Sequence, residues 1–146
     1  MNLEKVYILD DRAILYINGP DSKKYLQNLI SNDIERVSES KSCFASLLSP
    51  QGKFLFDFLV IKHKDGYFLD CEKKIANQLY KKLLTYKLRS KVEILNLSNE
   101  FVVAAFSHDK FLSLDDAKDE LGYTLKYNED HILLDPRNKN LGGRII

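Results

Sequence analysis

The sequence predicts an α+β domain in which helices pack on an antiparallel sheet. Two observations support this prediction. Short apolar runs of strand character recur along the whole chain, and most are joined by short polar turns. Two longer stretches instead repeat their apolar residues at helical spacing. Hairpins and helices mixed in this order are typical of α+β folds, whose helices gather on one face of the sheet.

Composition describes a single folded domain over residues 1–146. Hydrophobic residues make up 45% of the chain and charged residues 29%, which is the balance of an ordinary globular domain. The 22 Lys and Arg against 21 Asp and Glu give a formal net charge of +1. Domains that bind nucleic acid over a broad surface are usually clearly basic, so we do not expect direct nucleic-acid binding.

The first elements are two strands and a helix. Residues 5–9 and 13–17 are β-rich apolar runs separated by a tight polar turn, which predicts a hairpin. Asp21 or Ser22 can then cap a helix, because either side chain can accept a hydrogen bond from a free N–H of the first turn. The apolar spacing continues this helix to Ile30.

A three-stranded meander follows. Pro50 and Gly52 mark the first of its turns, since proline fixes one turn dihedral and glycine supplies conformational freedom at the exit. Both faces of the middle strand are mostly apolar, so we expect it to be central and covered on both sides. The predicted strands are residues 43–48, 53–62 and 67–71.

Residues 72–89 form the clearest predicted helix. Its apolar face repeats at four-residue spacing and consists of Ile75, Ala76, Leu79, Tyr80, Leu83, Leu84 and Leu88. Six cations crowd the remaining surface, namely Lys73, Lys74, Lys81, Lys82, Lys87 and Arg89. Such a face could contact RNA or an acidic client protein. An ordinary solvated helix surface is the preferred interpretation, because cations near a helix C-terminus are stabilised by the helix dipole.

The remaining segments predict four strands and one short helix. Residues 113–121 are acidic and read as a helix that Gly122 ends as a C-cap. The tail after Leu134 is assigned no element. The predicted strands are residues 92–97, 101–106, 123–127 and 131–134.

Chemistry-bearing residues form no recognised catalytic or metal-binding motif, so no catalytic residue and no metal site are predicted. Cys43 and Cys71 are flanked by apolar residues and read as small buried hydrophobes. His63, His108 and His131 lie far apart in sequence, which disfavours a zinc site. No apolar run approaches the roughly 20 residues of a membrane span, and no signal peptide is evident. We expect a cytoplasmic protein without a membrane partner.

Three segments, taken in order, resemble the signatures of a known family. The first is residues 10–33, with a Gly-Pro-Asp-Ser turn and a Tyr-Leu-Gln helix. The second is residues 47–60, with a Pro-Gln-Gly-Lys turn before a strand that contains Asp57. The third is residues 135–144, with Asp-Pro-Arg, Leu-Gly and a final Arg. The ordered set resembles the YgfZ-like folate-binding proteins, relatives of the glycine-cleavage T-protein, which is an aminomethyltransferase.

This resemblance implies a T-protein/YgfZ-type folate-binding domain with tetrahydrofolate or a derivative as its ligand. The YgfZ-like branch is associated with assembly or repair of iron–sulfur clusters in client enzymes, including a tRNA-modifying one. We therefore expect a folate-binding accessory module whose partners are folate and iron–sulfur client proteins. One alternative is an aminomethyltransferase of T-protein type, and a second is an RNA- or protein-interaction domain without a small ligand.

The resemblance also implies where the folate would bind. Asp57 matches the second member of an Asp pair in T-proteins, one of which faces the folate, and Phe56 replaces the first member. A carboxylate in an apolar strand needs a partner, because burying it alone is costly. The partner of Asp57 could be the N–H donors of a pterin or a lysine side chain. The carboxylate could instead lie at a solvent-exposed edge of the sheet. Phe44 stands where T-proteins have a Tyr near the ligand, and could stack on the pterin or belong to the core.

Arginines are the implied partners of the folate carboxylates. Arg12 matches a position at which some YgfZ-like proteins place an aromatic residue associated with folate. Its guanidinium could bind the carboxylate of the glutamate tail, or it could be a solvated turn residue. Arg137 and Arg144, in the third segment, are further candidates for the same role.

The resemblance covers only the N-terminal half of the family architecture. Full-length relatives continue into a second half that carries a Lys-Gly-Cys-x-x-Gly-Gln motif, and this motif is absent from the sequence. We therefore expect an apolar patch near the tail, where the second half would pack. A homodimer that covers this patch is one arrangement that the resemblance allows.

Overall fold

The computed structural model describes residues 5–146, which fold into two antiparallel five-stranded sheets packed face to face with helices outside. The helices are Ser22–Leu29 (α1), Ala76–Lys87 (α2) and His108–Leu112 (α3). The strands are Tyr7–Ile8 (β1), Arg12–Asn18 (β2), Cys43–Leu48 (β3), Phe54–His63 (β4), Gly66–Glu72 (β5), Glu93–Asn96 (β6), Ala104–Phe106 (β7), Thr124–Tyr127 (β8), Asp130–Leu134 (β9) and Gly143–Ile145 (β10). The predicted α+β class is confirmed.

The first sheet has the strand order β3-β4-β5-β2-β6 and contains the predicted meander. Val60 of β4 pairs with Leu69 of β5, and Leu15 of β2 pairs with Leu69 from the other side. The second half of β4 is buried on both faces, as predicted, because Leu59 faces the other sheet and Val60 faces the helices. The second sheet has the order β1-β7-β10-β9-β8.

Alternation along the strands separates two cores. One face of the first sheet packs against α1 and α2, with Leu79 and Leu83 of α2 fully buried. The opposite face packs against the second sheet through side chains that include Leu59, Phe68 and Leu133. Cys43 and Cys71 are buried and unbonded in the first core, as predicted. Burial raises the pKa of the Cys43 thiol to about 11 and that of Cys71 to about 12.

Two predicted elements are wrong because distant segments decide the local structure. Residues 5–9 form no hairpin with 13–17, since β1 pairs with β7 of the second sheet while β2 lies in the first. Residues 113–121 form turns, and the helix ends before them at Leu112. Gly122 is therefore no helix cap. Its backbone packs against the Ser42 carbonyl, leaving no room for a Cβ atom.

The tail, to which the sequence assigned no element, forms the central strand of the second sheet. Strand β10 lies between β7 and β9 and pairs with both. Ile146 is buried, and its backbone exchanges hydrogen bonds of 3.0 and 3.1 Å with His131. The end of the tail is therefore largely buried. Large apolar side chains that remain exposed in this region are Leu141 in the tail and Tyr7, Ile8 and the nearby Val102 at the β1 edge. The expected apolar patch stays a prediction.

No helix within residues 5–146 has both the length and the apolarity that crossing a membrane would require. Within the same residues, no group of three or more His, Cys, Asp or Glu side chains is placed to hold a metal ion.

Adjacent leucines on α2 test the assignment of its buried face. Leu83 is fully buried, whereas Leu84, also predicted on the apolar face, is 42% exposed. We expect Leu83→Ala to lower the free energy of unfolding by about 2–5 kcal/mol, because it removes buried methyl groups and leaves a cavity. Leu84→Ala is the matched control and should cost less than about 1 kcal/mol. Urea denaturation measures both, and equal losses would contradict the assigned face.

Candidate functional site

A chain of alternating charges, Arg12–Asp70–Arg144–Asp135–Arg137, joins the two sheets at one end of their interface. Asp70 on β5 is fully buried and lies between Arg12 and Arg144. Arg12 of β2 donates from Nε to Asp70 Oδ1 at 2.8 Å, and Arg144 of β10 donates from Nη1 to Oδ2 at 2.6 Å. Arg12 and Asp70 belong to the first sheet and Arg144 to the second. This arginine–aspartate chain is therefore a polar link between the two sheets.

The exposed end of the arginine–aspartate chain is Arg137. Its Nε and Nη2 atoms donate to the two carboxylate oxygens of Asp135 at 2.9 and 2.7 Å, the bidentate geometry that suits this pair. The hydrogen bond to Asp135 raises the pKa of Arg137 above its ordinary value. Burial works to raise the pKa of Asp135, but the hydrogen bonds from Arg137 outweigh it and leave that pKa lowered.

The three arginines outnumber the two aspartates, so the arginine–aspartate chain carries one excess positive charge. Arg137 retains 30% side-chain exposure, against 10% for Arg12 and 7% for Arg144. Its guanidinium has five N–H donors, and within the described residues only Nε and Nη2 donate hydrogen bonds. The remaining donors make Arg137 the member best placed to meet an anion from solvent.

Arg137 lines an open cleft of about 490 Å³, which we call the Phe44 cleft. Phe44, on β3, also lines the cleft, and its partly buried side chain packs against the core between the sheets. Arg36 and Lys41 add two further cations to the lining. Lys41 is held by a 2.8 Å hydrogen bond to the Leu121 carbonyl. The cleft thus brings an aromatic residue together with three cations, of which Lys41 is paired with Glu120 and Arg137 with Asp135.

Asp57 lies on the same sheet face as Phe44. Phe44 pairs with Leu59 and Ser46 pairs with Asp57, and residues two apart along a strand share a face. Within the described residues Asp57 makes no side-chain hydrogen bond or salt bridge. Its charge adds to those of Asp135 and Asp70 in raising the pKa of Arg137. Phe56 faces the helix-covered core instead.

The structure therefore brings two of the four predicted folate residues, Phe44 and Arg137, into one cleft. Asp57 is on the same sheet face, outside the lining. Arg12 is no solvated turn residue, because it is committed to Asp70. The sequence analysis missed Asp70, although a lone Asp in the apolar strand 67–71 was a signal of the same kind as Asp57.

A second polar cluster, also missed, joins the sheets through two histidines. Nδ1 of His63 on β4 lies 2.8 Å from Nε2 of His131 on β9, so one ring donates and the other accepts. His63 also stacks on Phe68, with ring centroids 4.1 Å apart. Burial, followed by the nearby His131, lowers the pKa of His63 to about 4, and burial lowers that of His131. Both rings are neutral near pH 7.

Neutralising Asp70 tests the arginine–aspartate chain. We expect Asp70→Asn to lower the free energy of unfolding by about 3–5 kcal/mol, because two buried arginines lose their shared carboxylate. Asp57→Asn is the matched control and should cost less than about 1 kcal/mol, since that carboxylate has no partner to lose. Chemical denaturation measures both, and a mild effect of Asp70→Asn would refute the structural role.

The histidine pair predicts a pH dependence of stability. Between about pH 6.5 and 4 the unfolded histidines take up protons while His63 in the folded protein stays neutral. The free energy of unfolding therefore falls as the pH falls through this window. We expect the pair to contribute about 1–2 kcal/mol of that loss, less than the full shift because His63 is partly exposed. The double variant His63→Gln/His131→Gln should flatten this slope in denaturation series, and an unchanged slope would contradict the assignment.

Comparison with known proteins finds sequence relatives among the IBA57 and YgfZ proteins. The chain is 24% identical over 164 aligned residues to the iron–sulfur cluster assembly factor IBA57 homolog, mitochondrial, of Dictyostelium discoideum, covering 94% of this chain and 40% of that protein. It is 31% identical over 108 residues to the tRNA-modifying protein YgfZ of Buchnera aphidicola, covering 73% of this chain and 34% of that one. No family model matches. The cytoplasmic location stays a prediction, since the first relative is named as mitochondrial.

A solved structure shares the fold. The glycine cleavage system aminomethyltransferase T from Bartonella henselae superposes with a TM-score of 0.77 at 14% identity, over 96% of this chain and 40% of that one. The chain thus spans about a third to two-fifths of the length of the proteins that it matches. The sequence relatives are IBA57 and YgfZ proteins and the fold is that of the glycine-cleavage T-protein, and both support the resemblance of the three ordered segments to the YgfZ-like proteins of that superfamily.

Proposed function

We propose that this chain binds a reduced folate at the Phe44 cleft and serves the assembly or repair of iron–sulfur clusters in client enzymes, including one that modifies tRNA. The observation that carries the proposal is that Phe44 and Arg137 line one cleft with two further cations. The names of the relatives support the iron–sulfur and tRNA-modification parts of the proposal. In this proposal the chain supplies the N-terminal portion of the binding protein.

The chemistry of the cleft suits a folate. A reduced folate has a flat pterin at one end and glutamate carboxylates at the other. The Phe44 ring offers a stacking surface for the pterin, and Arg36, Lys41 and Arg137 offer partners for carboxylates. Asp57, without a protein partner, can accept hydrogen bonds from pterin N–H groups. A volume of about 490 Å³ is within the range of small-molecule sites.

The same geometry supports an accessory role over a complete aminomethyltransferase. Phe56, which replaces the first Asp of the T-protein pair, packs against the helix-covered core. That position therefore carries no acid or base toward the cleft. The thiols of Cys43 and Cys71 are buried, with pKa values raised by burial, so neither supplies a thiolate near neutral pH.

Titration with folinic acid tests the proposal. We expect folinic acid to raise the melting temperature and to give a saturable calorimetric signal. Arg137→Ala should weaken binding by about tenfold or more, because it removes a charge-assisted contact with a carboxylate. Phe44→Ala should weaken it through lost stacking.

Arg89→Ala is the matched control, since Arg89 is an exposed arginine on a different surface. It should leave the affinity for folinic acid unchanged. No heat and no stabilisation at millimolar folinic acid would refute the proposal, and so would equal losses for Arg137→Ala and Arg89→Ala.

A further inference from the structure

The turn that follows α2 places a leucine in a strained backbone conformation. Leu88 has φ +46° and ψ −115°. The Ser90 N–H donates to the Lys87 carbonyl at 2.8 Å, which closes a type II′ β-turn with Leu88 at its second position. Glycine is the usual residue there, because a side chain at positive φ is crowded by its own backbone. Backbone strain of this kind concentrates at functional sites.

Burial does not compensate for this strain. Leu88 is 88% exposed, the most exposed of the large apolar side chains within residues 5–146. A glycine at position 88 would remove the strain and lose almost no apolar packing. Leu88 therefore lowers the stability of the turn and gains nothing from contacts within the described residues. We expect its side chain to serve a contact with another molecule.

The turn is held rigidly against the start of α1. The Asp21 carboxylate accepts a hydrogen bond from the Lys91 N–H at 2.8 Å, and the Asp21 N–H donates to the Lys91 carbonyl at 3.2 Å. The Asp21 side chain thus fixes this turn instead of capping α1. A Cβ atom on Gly19 would lie 2.5 Å from the Lys91 carbonyl oxygen, so only glycine permits this close packing. The backbone that carries Leu88 is consequently anchored on both sides, which reduces the backbone entropy lost on binding.

Positive charge surrounds the exposed leucine. Leu88 borders a cleft of about 580 Å³ whose other lining residues include Tyr25 and Asn28 of α1. Three cations belong to the cleft or adjoin Leu88 in sequence, namely Lys24, Lys87 and Arg89. Within residues 5–146 none of these three forms a salt bridge. The one acidic lining residue, Asp21, accepts a hydrogen bond from the Lys91 N–H. The surface is therefore a single apolar projection beside three cations without a salt-bridge partner.

We propose that this surface, the Leu88 turn, docks a protein partner whose apolar pocket receives Leu88 and is bordered by Asp and Glu. A central apolar anchor within a polar rim is the usual anatomy of a binding hot spot. Carboxylates around the pocket would complement the three cations and speed association. An RNA partner fits less well, because RNA contacts rely on stacking surfaces that leucine lacks. The Leu88 turn shares no lining residue with the Phe44 cleft, so this proposal is independent of folate binding.

The first test measures stability. We expect Leu88→Gly to raise the melting temperature, because glycine relieves the strained turn. Leu84→Gly, within α2, is the contrasting variant and should lower the melting temperature. A lower melting temperature for Leu88→Gly would show that Leu88 serves the fold and would overturn the proposal.

The second test identifies the partner. A photo-reactive benzoylphenylalanine at position 88 is crosslinked in cells, with the same probe at the exposed Phe54 as control. We expect position 88, and not position 54, to crosslink a protein segment rich in Asp and Glu. The purified partner should then bind Leu88→Gly and Arg89→Glu at least tenfold more weakly than the unchanged chain, and more weakly at higher salt. Crosslinks to RNA, to a second copy, to residues 1–4 of the same chain, or to nothing would each overturn the proposal.

Discussion

A buried carboxylate between two arginines from opposite sheets is the constraint on which this structure depends. Asp70 is fully buried, and an ionised side chain removed from water is costly unless it is paired and hydrogen-bonded. Arg12 reaches it from the neighbouring strand, but Arg144 can reach it only because the tail inserts as the central strand of the second sheet. Apolar packing holds the sheets together, and the ion pairs require one particular arrangement of them. The same arrangement leaves Arg137 at the solvent end of the arginine–aspartate chain, beside Phe44.

The pattern of apolar residues predicted those elements that pack against segments adjacent to them in sequence. The meander β3-β4-β5 follows from alternation, and Leu79 and Leu83 of α2 follow from helical spacing, whereas the same spacing also selected the exposed Leu84 and Leu88. The pairing of β1 and the strand in the tail could not be predicted in this way, because both depend on β7, a segment remote in sequence. The acidic stretch 113–121 has helical composition, yet Ser107 caps a helix that ends before it. Gly122 permits a close contact with the Ser42 carbonyl, and this contact exists only in the folded structure.

The candidate site was predicted in part for a similar reason. Resemblance supplied Phe44 and Arg137, which the fold brings into one cleft although 93 positions separate them in the sequence. Arg12 was predicted to bind a carboxylate of the ligand, but in the structure it binds the carboxylate of Asp70. The two histidines appeared unrelated because 68 residues separate them, and only the packing of one sheet on the other brings them together. Leu88 looked like one more residue of an apolar helix face until its backbone conformation was known.

Arginine side-chain NMR during a folinic acid titration tests the central claim most directly, because it observes each guanidinium separately. The account predicts that the Nε–H signal of Arg12 is protected from solvent exchange in the free protein and does not move, since Asp70 holds it in the buried interface. The Arg137 signal should shift saturably with ligand, because this residue alone of the three arginines combines cleft lining with solvent exposure. A rapidly exchanging Arg12 signal, or a shift of Arg12 with no shift of Arg137, would contradict the account.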